Sequence, residues 1–168
     1  MGDSGKPKTG TDASSVQRFP VEQFRAVAFD AVGTVMYPNP GVAQAYQIAI
    51  RRHCGLELSE TAVSDVVRAG LSERSKAGDF RTNEKLEHDF WAALIRHLCP
   101  DSEGFQTCFD ELFEHFGDAQ NWRCFPDVAK AIQQIRAGGF LCAVASNFDR
   151  RLDSVSYTHL TLPTKRIV

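Results

Sequence analysis

Two short segments of the chain combine groups that could do covalent chemistry. In Phe29-Asp30-Ala31-Val32-Gly33-Thr34-Val35, a carboxylate follows an apolar run and is itself followed by a glycine and a hydroxyl. In Val144-Ala145-Ser146-Asn147-Phe148-Asp149, a hydroxyl and an amide hold the same place after another apolar run. A carboxylate at a strand end can attack a phosphorus or carbon centre and form an ester that water then cleaves, dividing one hard step into two. Nearby hydroxyls can donate to an oxygen on which charge develops. A glycine lets the chain turn sharply beside the reacting group, where a Cβ would crowd the backbone. Taken alone, Asp30 reads equally well as a turn or helix-cap residue after a strand; the second segment is what raises it to a candidate nucleophile.

The other reactive side chains are dispersed. Cys54, Cys99, Cys108, Cys124 and Cys142 form no C-x-x-C pair, so buried free thiols are expected rather than a zinc site or redox dithiol. His53, His88, His97, His115 and His159 are scattered as well, and although His53 adjoins Cys54, neighbours on a helix point in different directions. With 19 basic and 21 acidic residues the formal charge is -2, which creates no field to draw in nucleic acid or an anionic membrane. No apolar run reaches the roughly 20 residues of a spanning helix, and the first residues lack the apolar stretch of a signal peptide. The expected partner is a small-molecule substrate, with no nucleic acid and no membrane, and the default compartment is the cytoplasm.

The elements that must position these groups are read from periodicity. The 168 residues, 43% apolar and 24% charged, suit one soluble domain or a core with an insert. Residues 24–29 and 140–145 have the short apolar pattern of buried strands. Between them the period turns helical. Val42, Tyr46, Ala49 and Ile50 share one face, and Val63, Val66, Val67 and Leu71 another. Leu86, Phe90, Leu94 and Leu98 follow a cap at Thr82 or Asn83. Phe105, Phe109, Leu112, Phe113 and Phe116 form an aromatic stripe that is expected to pack rather than to bind a cofactor. These segments predict about four antiparallel helices. Pro126 suits a first helical turn, and Val128, Ala131, Ile132 and Ile135 form a stripe stopped by Gly138-Gly139. Strands joined through helices argue a parallel sheet, with its ligand site beyond the carboxyl ends of the strands, where Asp30 and Ser146 both fall.

With both segments in this order around a helical stretch, residues 21–153 resemble the haloacid dehalogenase-like (HAD) hydrolase superfamily. Its first motif, an apolar strand followed by Asp-x-Asp-Gly-Thr, matches Asp30 to Thr34; its second, a Ser or Thr ending the next core strand, matches Ser146. The resemblance implies an α/β fold, a HAD-type Rossmann-like parallel sheet core, incomplete in this chain, with a helical cap insert. After a start over 1–20 whose polar composition predicts a flexible lead, it divides the chain into core over 21–37 and 122–153 and cap over 38–121. It implies Asp30 as the nucleophile, with Gly33, Thr34, Ser146 and Asn147 around the substrate or phosphate. Mg²⁺ would lie against Asp30 and the backbone carbonyl of Val32.

The sequence departs from the family pattern in two places. Phosphatases of the family carry a second Asp two residues after the nucleophile, which protonates the leaving group and activates water; Val32 stands there. Leaving-group protonation contributes about 10²- to 10⁴-fold. Dehalogenases of the family also lack that Asp, since halide leaves without a proton. The family also uses a Lys or Arg and further acidic residues from later elements, and the pattern predicts no strand-helix unit after Asp153. Residues 154–168 read as a foreign, adapter-like tail, which makes the chain a C-terminal truncation expected to be inactive by itself. The leading expectation is therefore a Mg²⁺-dependent phosphatase of small phosphorylated metabolites. A 2-haloacid dehalogenase-type C-halogen hydrolase, which needs no metal, is second, and an impaired binding protein that keeps the fold is third.

Overall fold

The computed structural model describes residues 23–76, 83–100, 103–146, 148–149 and 151–152; the expected lead, Thr82, Asn147 and the segment 154–168 lie outside them. The chain runs β1 (Ala26–Phe29), β2 (Met36–Pro38), α1 (Val42–Cys54), α2 (Glu60–Lys76), α3 (Glu84–Leu98), α4 (Phe105–His115), β3 (Trp122–Cys124), α5 (Val128–Ala137) and β4 (Leu141–Val144).

Both apolar runs become strands. β1 and β4 pair in parallel, with Phe29 opposite Val144, and the Ala145 N–H donates to the Phe29 carbonyl at 2.8 Å beyond the last pair. The strands are less buried than expected. Phe29, Cys142 and Val144 pack with Ala31, Val35, Met36, Trp122 and Ile132, whereas Ala26 and Ala28 are exposed and Leu141 is 71% exposed. Among the described residues this sheet has two strands, and one of its faces is covered.

A second, antiparallel pair was not expected: β2 with β3, Tyr37 opposite Arg123. Each strand is three residues long, too short for a two-residue alternation to register. Hydrogen bonds from Asn39 N–H to the Asn121 carbonyl (2.7 Å) and from Phe125 N–H to the Val35 carbonyl (3.1 Å) extend it. The chain leaves the sheet through β2 and returns through β3, so this ribbon ties together the two ends of the helical stretch.

The four expected helices form between those ends. α1 stops at Gly55, which takes φ 67° and donates to the Arg51 carbonyl, a left-handed cap that suits glycine. Asn83 caps α3, its side chain accepting from Leu86 N–H at 2.9 Å. Ala45, Tyr46, Ala49, Ile50, Val63, Ile95, Leu98, Phe105, Phe109 and Leu112 make one core among the helices. Two expected inward positions face out: Leu71 is 44% and Leu86 47% exposed. The buried face of α3 is Glu87, Leu94, Ile95 and Leu98, rotated by one residue from the predicted stripe. Arg74 of α2 explains the rotation. Its guanidinium grips the Glu87 carboxylate at both oxygens, Nη1 to Oε2 at 3.0 Å, and a forked cation is what a buried carboxylate needs.

Helix α4 starts where α1 ends. A Cβ on Gly104 would stand 1.8 Å from the His53 carbonyl oxygen, a backbone atom that cannot swing aside. Gly104→Ala should therefore push α4 away from α1 and destabilise the protein by about 1–3 kcal/mol, as overpacking does. A lower urea midpoint at unchanged slope is the expected result; an unchanged midpoint would show that the helices separate freely.

Candidate active site

The turn after β1 is pinned by one carbonyl. Ala31, fully buried, accepts from the N–H groups of Thr34 (3.4 Å), Val35 (2.9 Å) and Met36 (3.0 Å), while Gly33 N–H donates to the Met36 carbonyl (2.8 Å). Gly33 has φ 84°, a conformation that side chains other than glycine adopt at a cost. A Cβ there would meet nothing within 4 Å. Glycine is thus required by backbone conformation and not, as expected from sequence, by crowding. Asp30 stands on this fixed turn with its side chain exposed. Thr34 Oγ1 lies 3.5 Å from Asp30 Oδ2, the outer limit of a hydrogen bond.

Ser146 leaves the neighbouring strand end. Because Phe29 is opposite Val144, Asp30 and Ser146 emerge from adjacent parallel strands at the same edge of the sheet. Ser146 Oγ accepts from the Phe148 N–H at 3.2 Å, which leaves its own proton to be donated elsewhere. Of the residues predicted for the site, Asp30, Gly33, Thr34 and Ser146 lie at this edge, and Asn147 is outside the described residues.

A buried ion pair follows that sequence reasoning did not single out. Asp149 is 2% exposed and is gripped by Arg151, with Nη2 to Oδ2 at 2.7 Å and Nε to Oδ1 at 2.8 Å. An Asp two residues before an Arg after a strand was the available signal. It is a spacing that ordinary helix caps also show.

A cavity of about 290 Å³ lies between the helices and the core. Val32, Trp122 and Phe148 line it from the core side, and Tyr46, Trp91 and Phe113 from the helices. The aromatic stripe of α4 therefore packs inward and also walls this cavity. Asp30 is not among the lining residues; its loop neighbour Val32, 39% exposed, connects the two. The charged groups of the wall are already paired, Arg74 with Glu87 and Arg151 with Asp149. Burial pushes the Tyr46 phenol well above its ordinary range, and Arg151 offsets this in part. A general acid works best with a pKa near the working pH, so the Tyr46 phenol is poorly suited to replace an acid at the Val32 position.

Mg²⁺ prefers octahedral oxygen coordination. Among the described residues no group of three His, Cys, Asp or Glu is placed to hold a metal ion. The Asp30 carboxylate and the Val32 carbonyl would fill two of about six positions. The described residues do not by themselves fit a magnesium centre. None of the five cysteines is in a disulfide, and burial raises the Cys99 thiol to about 12, as expected of structural thiols. No helix among the described residues is long and apolar enough to cross a membrane.

Known proteins similar to this chain identify its family and its fold. The chain is 36% identical over 145 residues to haloacid dehalogenase-like hydrolase domain-containing protein 3 of Xenopus tropicalis, across 77% of this chain and 71% of that one. It is 24% identical over 140 residues to the Bos taurus protein of the same description, across 79% of this chain and 55% of that one. The chain spans about half the length of most curated relatives it matches. A solved structure described as a dehalogenase superposes with TM-score 0.57 at 19% identity, over 86% of this chain and 62% of that one, a likeness of fold. A sequence model of the haloacid dehalogenase-like hydrolases matches residues 24–159, and the chain belongs to that family.

Proposed function

We propose that the protein hydrolyses small phosphorylated metabolites through a covalent intermediate on Asp30. The observation that carries this reading is the placement of Asp30 and Ser146 at adjacent parallel strand ends, with the Thr34 hydroxyl beside the carboxylate. A carboxylate oxygen of Asp30 attacks phosphorus, the bond to the leaving oxygen breaks, and that oxygen departs with the electron pair. Water then attacks the phosphoryl group on Asp30, releasing phosphate and restoring the carboxylate. Thr34 and Ser146 donate to oxygens whose charge grows at each step. Residues 38–121 act as a cap over the cavity and set which leaving group fits.

Val32 favours a second reading. With an apolar side chain in the acid position and an apolar cavity behind it, displacement of halide from carbon would proceed without a proton donor. Both readings place a covalent adduct on Asp30 but differ in the group it carries, a phosphoryl group or an alkyl group. Acid-quenching the full-length protein during turnover of p-nitrophenyl phosphate or of 2-chloropropionate, then mapping the modified peptide by mass, is expected to find a phosphoryl group on Asp30. A 1-carboxyethyl ester on Asp30, formed as its oxygen displaces chloride from C2, would select the halide reading, and an adduct on any other residue would remove Asp30 from the mechanism.

A further inference from the structure

Arg151 ties the loop that carries Ser146 to the helical layer. Its Nε donates to both oxygens of Asp149, at 2.8 and 3.0 Å, and Nη2 adds a bond of 2.7 Å. A planar fork thus holds a carboxylate that is fully buried. On its other side Nη1 donates to the Phe113 carbonyl near the end of α4, at 3.2 Å, and the guanidinium carbon lies 3.8 Å from the centre of the Phe113 ring.

A second line of contacts runs beside the first. The Phe148 N–H bonds to Ser146 Oγ, and the Phe148 ring meets Trp122 edge-on with centroids 5.5 Å apart. Trp122 Nε1 then donates to the Phe116 carbonyl at 3.2 Å. One ionic and one aromatic connection therefore join Arg151 and Phe148 to the carboxyl end of α4, and the residues of both connections line the cavity together with Val32. Taking an Asp and an Arg out of water is costly. An arrangement that spends a bidentate fork on holding a loop to a helix is better suited to fixing geometry than to adding stability.

We propose that Arg151, gripped by Asp149, is a positioning residue that sets the height of α4 over the Ser146 loop and so fixes the shape of the cavity that Val32 borders. This rests on Asp30 being the nucleophile. Lysine cannot take the place of Arg151, because its donors sit on one nitrogen, whereas Asp149 and the Phe113 carbonyl are met by three different nitrogens of the planar guanidinium.

The test uses the full-length protein with p-nitrophenyl phosphate as substrate. Arg151→Ala is expected to lower kcat about 10- to 100-fold, the size of effect seen when groups away from the chemistry misplace it, with a smaller change in KM. Millimolar guanidinium should restore turnover in Arg151→Ala but leave the native protein and Arg151→Lys unchanged. Amide exchange at Phe148 and at residues 113–117 should accelerate together in Arg151→Ala and in Asp149→Asn. Native kcat/KM in Arg151→Ala, or faster exchange confined to residues 148–152, would overturn the proposal. If Arg151→Ala does not fold, Arg151→Lys and Asp149→Asn decide it by the same two readouts. Full turnover in Asp30→Asn would instead remove the nucleophile reading, and the exchange experiment would still decide whether Arg151 couples loop and helix.

Discussion

Asp30→Asn in the full-length protein is expected to lower kcat by at least about 10³-fold while leaving thermal stability within about 0.5 kcal/mol of the native value. The chemical loss follows from replacing a carboxylate with an amide, which cannot form the ester that divides the reaction. The small structural cost follows from exposure: Asp30 projects into solvent, and its contact with Thr34 is a long 3.5 Å hydrogen bond that an amide oxygen can also accept. The substitution is informative because Asn caps and turns as well as Asp does. If Asp30 only shaped the loop, Asn would preserve both stability and turnover. Phosphate release read beside a thermal melt separates the two roles, and turnover near the native rate would end the case for Asp30 as nucleophile.

Much of the fold was legible because long periods leave a strong trace. The stripe of Tyr46, Ala49 and Ile50 in α1 and that of Phe105, Phe109 and Leu112 in α4 lie in the helical core as read. The parallel pairing of β1 with β4 followed from two apolar runs separated by helices. What stayed hidden depended on partners distant in sequence. The inward turn of Glu87 depends on Arg74, thirteen residues away, so a hydrophobic pattern alone assigned the face to Leu86. The β2–β3 ribbon joins segments more than eighty residues apart, and neither segment is long enough to announce itself.

The site was legible to the extent that its groups lie within a few residues of a strand end. Asp30, Gly33 and Thr34 share one turn, and Ser146 follows the neighbouring strand. The cavity was not legible, because Val32, Tyr46, Trp91 and Phe148 converge only through packing. The bridging role of Arg151 was not legible either, because it appears only when α4 brings the Phe113 carbonyl to 3.2 Å from Nη1.

Val32→Asp in the full-length protein is expected to speed hydrolysis of alkyl phosphates by about 10²- to 10⁴-fold, and of aryl phosphates much less, since aryl oxyanions leave with little help from an acid. Val32 borders the cavity two residues from Asp30, and at 39% exposure its position can take a carboxyl group without burying it fully. Beside the Asp30 carboxylate the new group would hold its proton to higher pH, because two like charges disfavour full ionisation. That is the direction a general acid needs, and alkyl turnover should fall as pH rises through the raised value. The halide reading makes the opposite forecast: displacement at carbon gains nothing from an acid and loses rate to the added negative charge near the attacking carboxylate. Rates for methyl phosphate, p-nitrophenyl phosphate and 2-chloropropionate on the same two proteins therefore distinguish the mechanisms. Equal acceleration of the alkyl and aryl esters, or none in either, would show that Val32 does not stand where the leaving group departs.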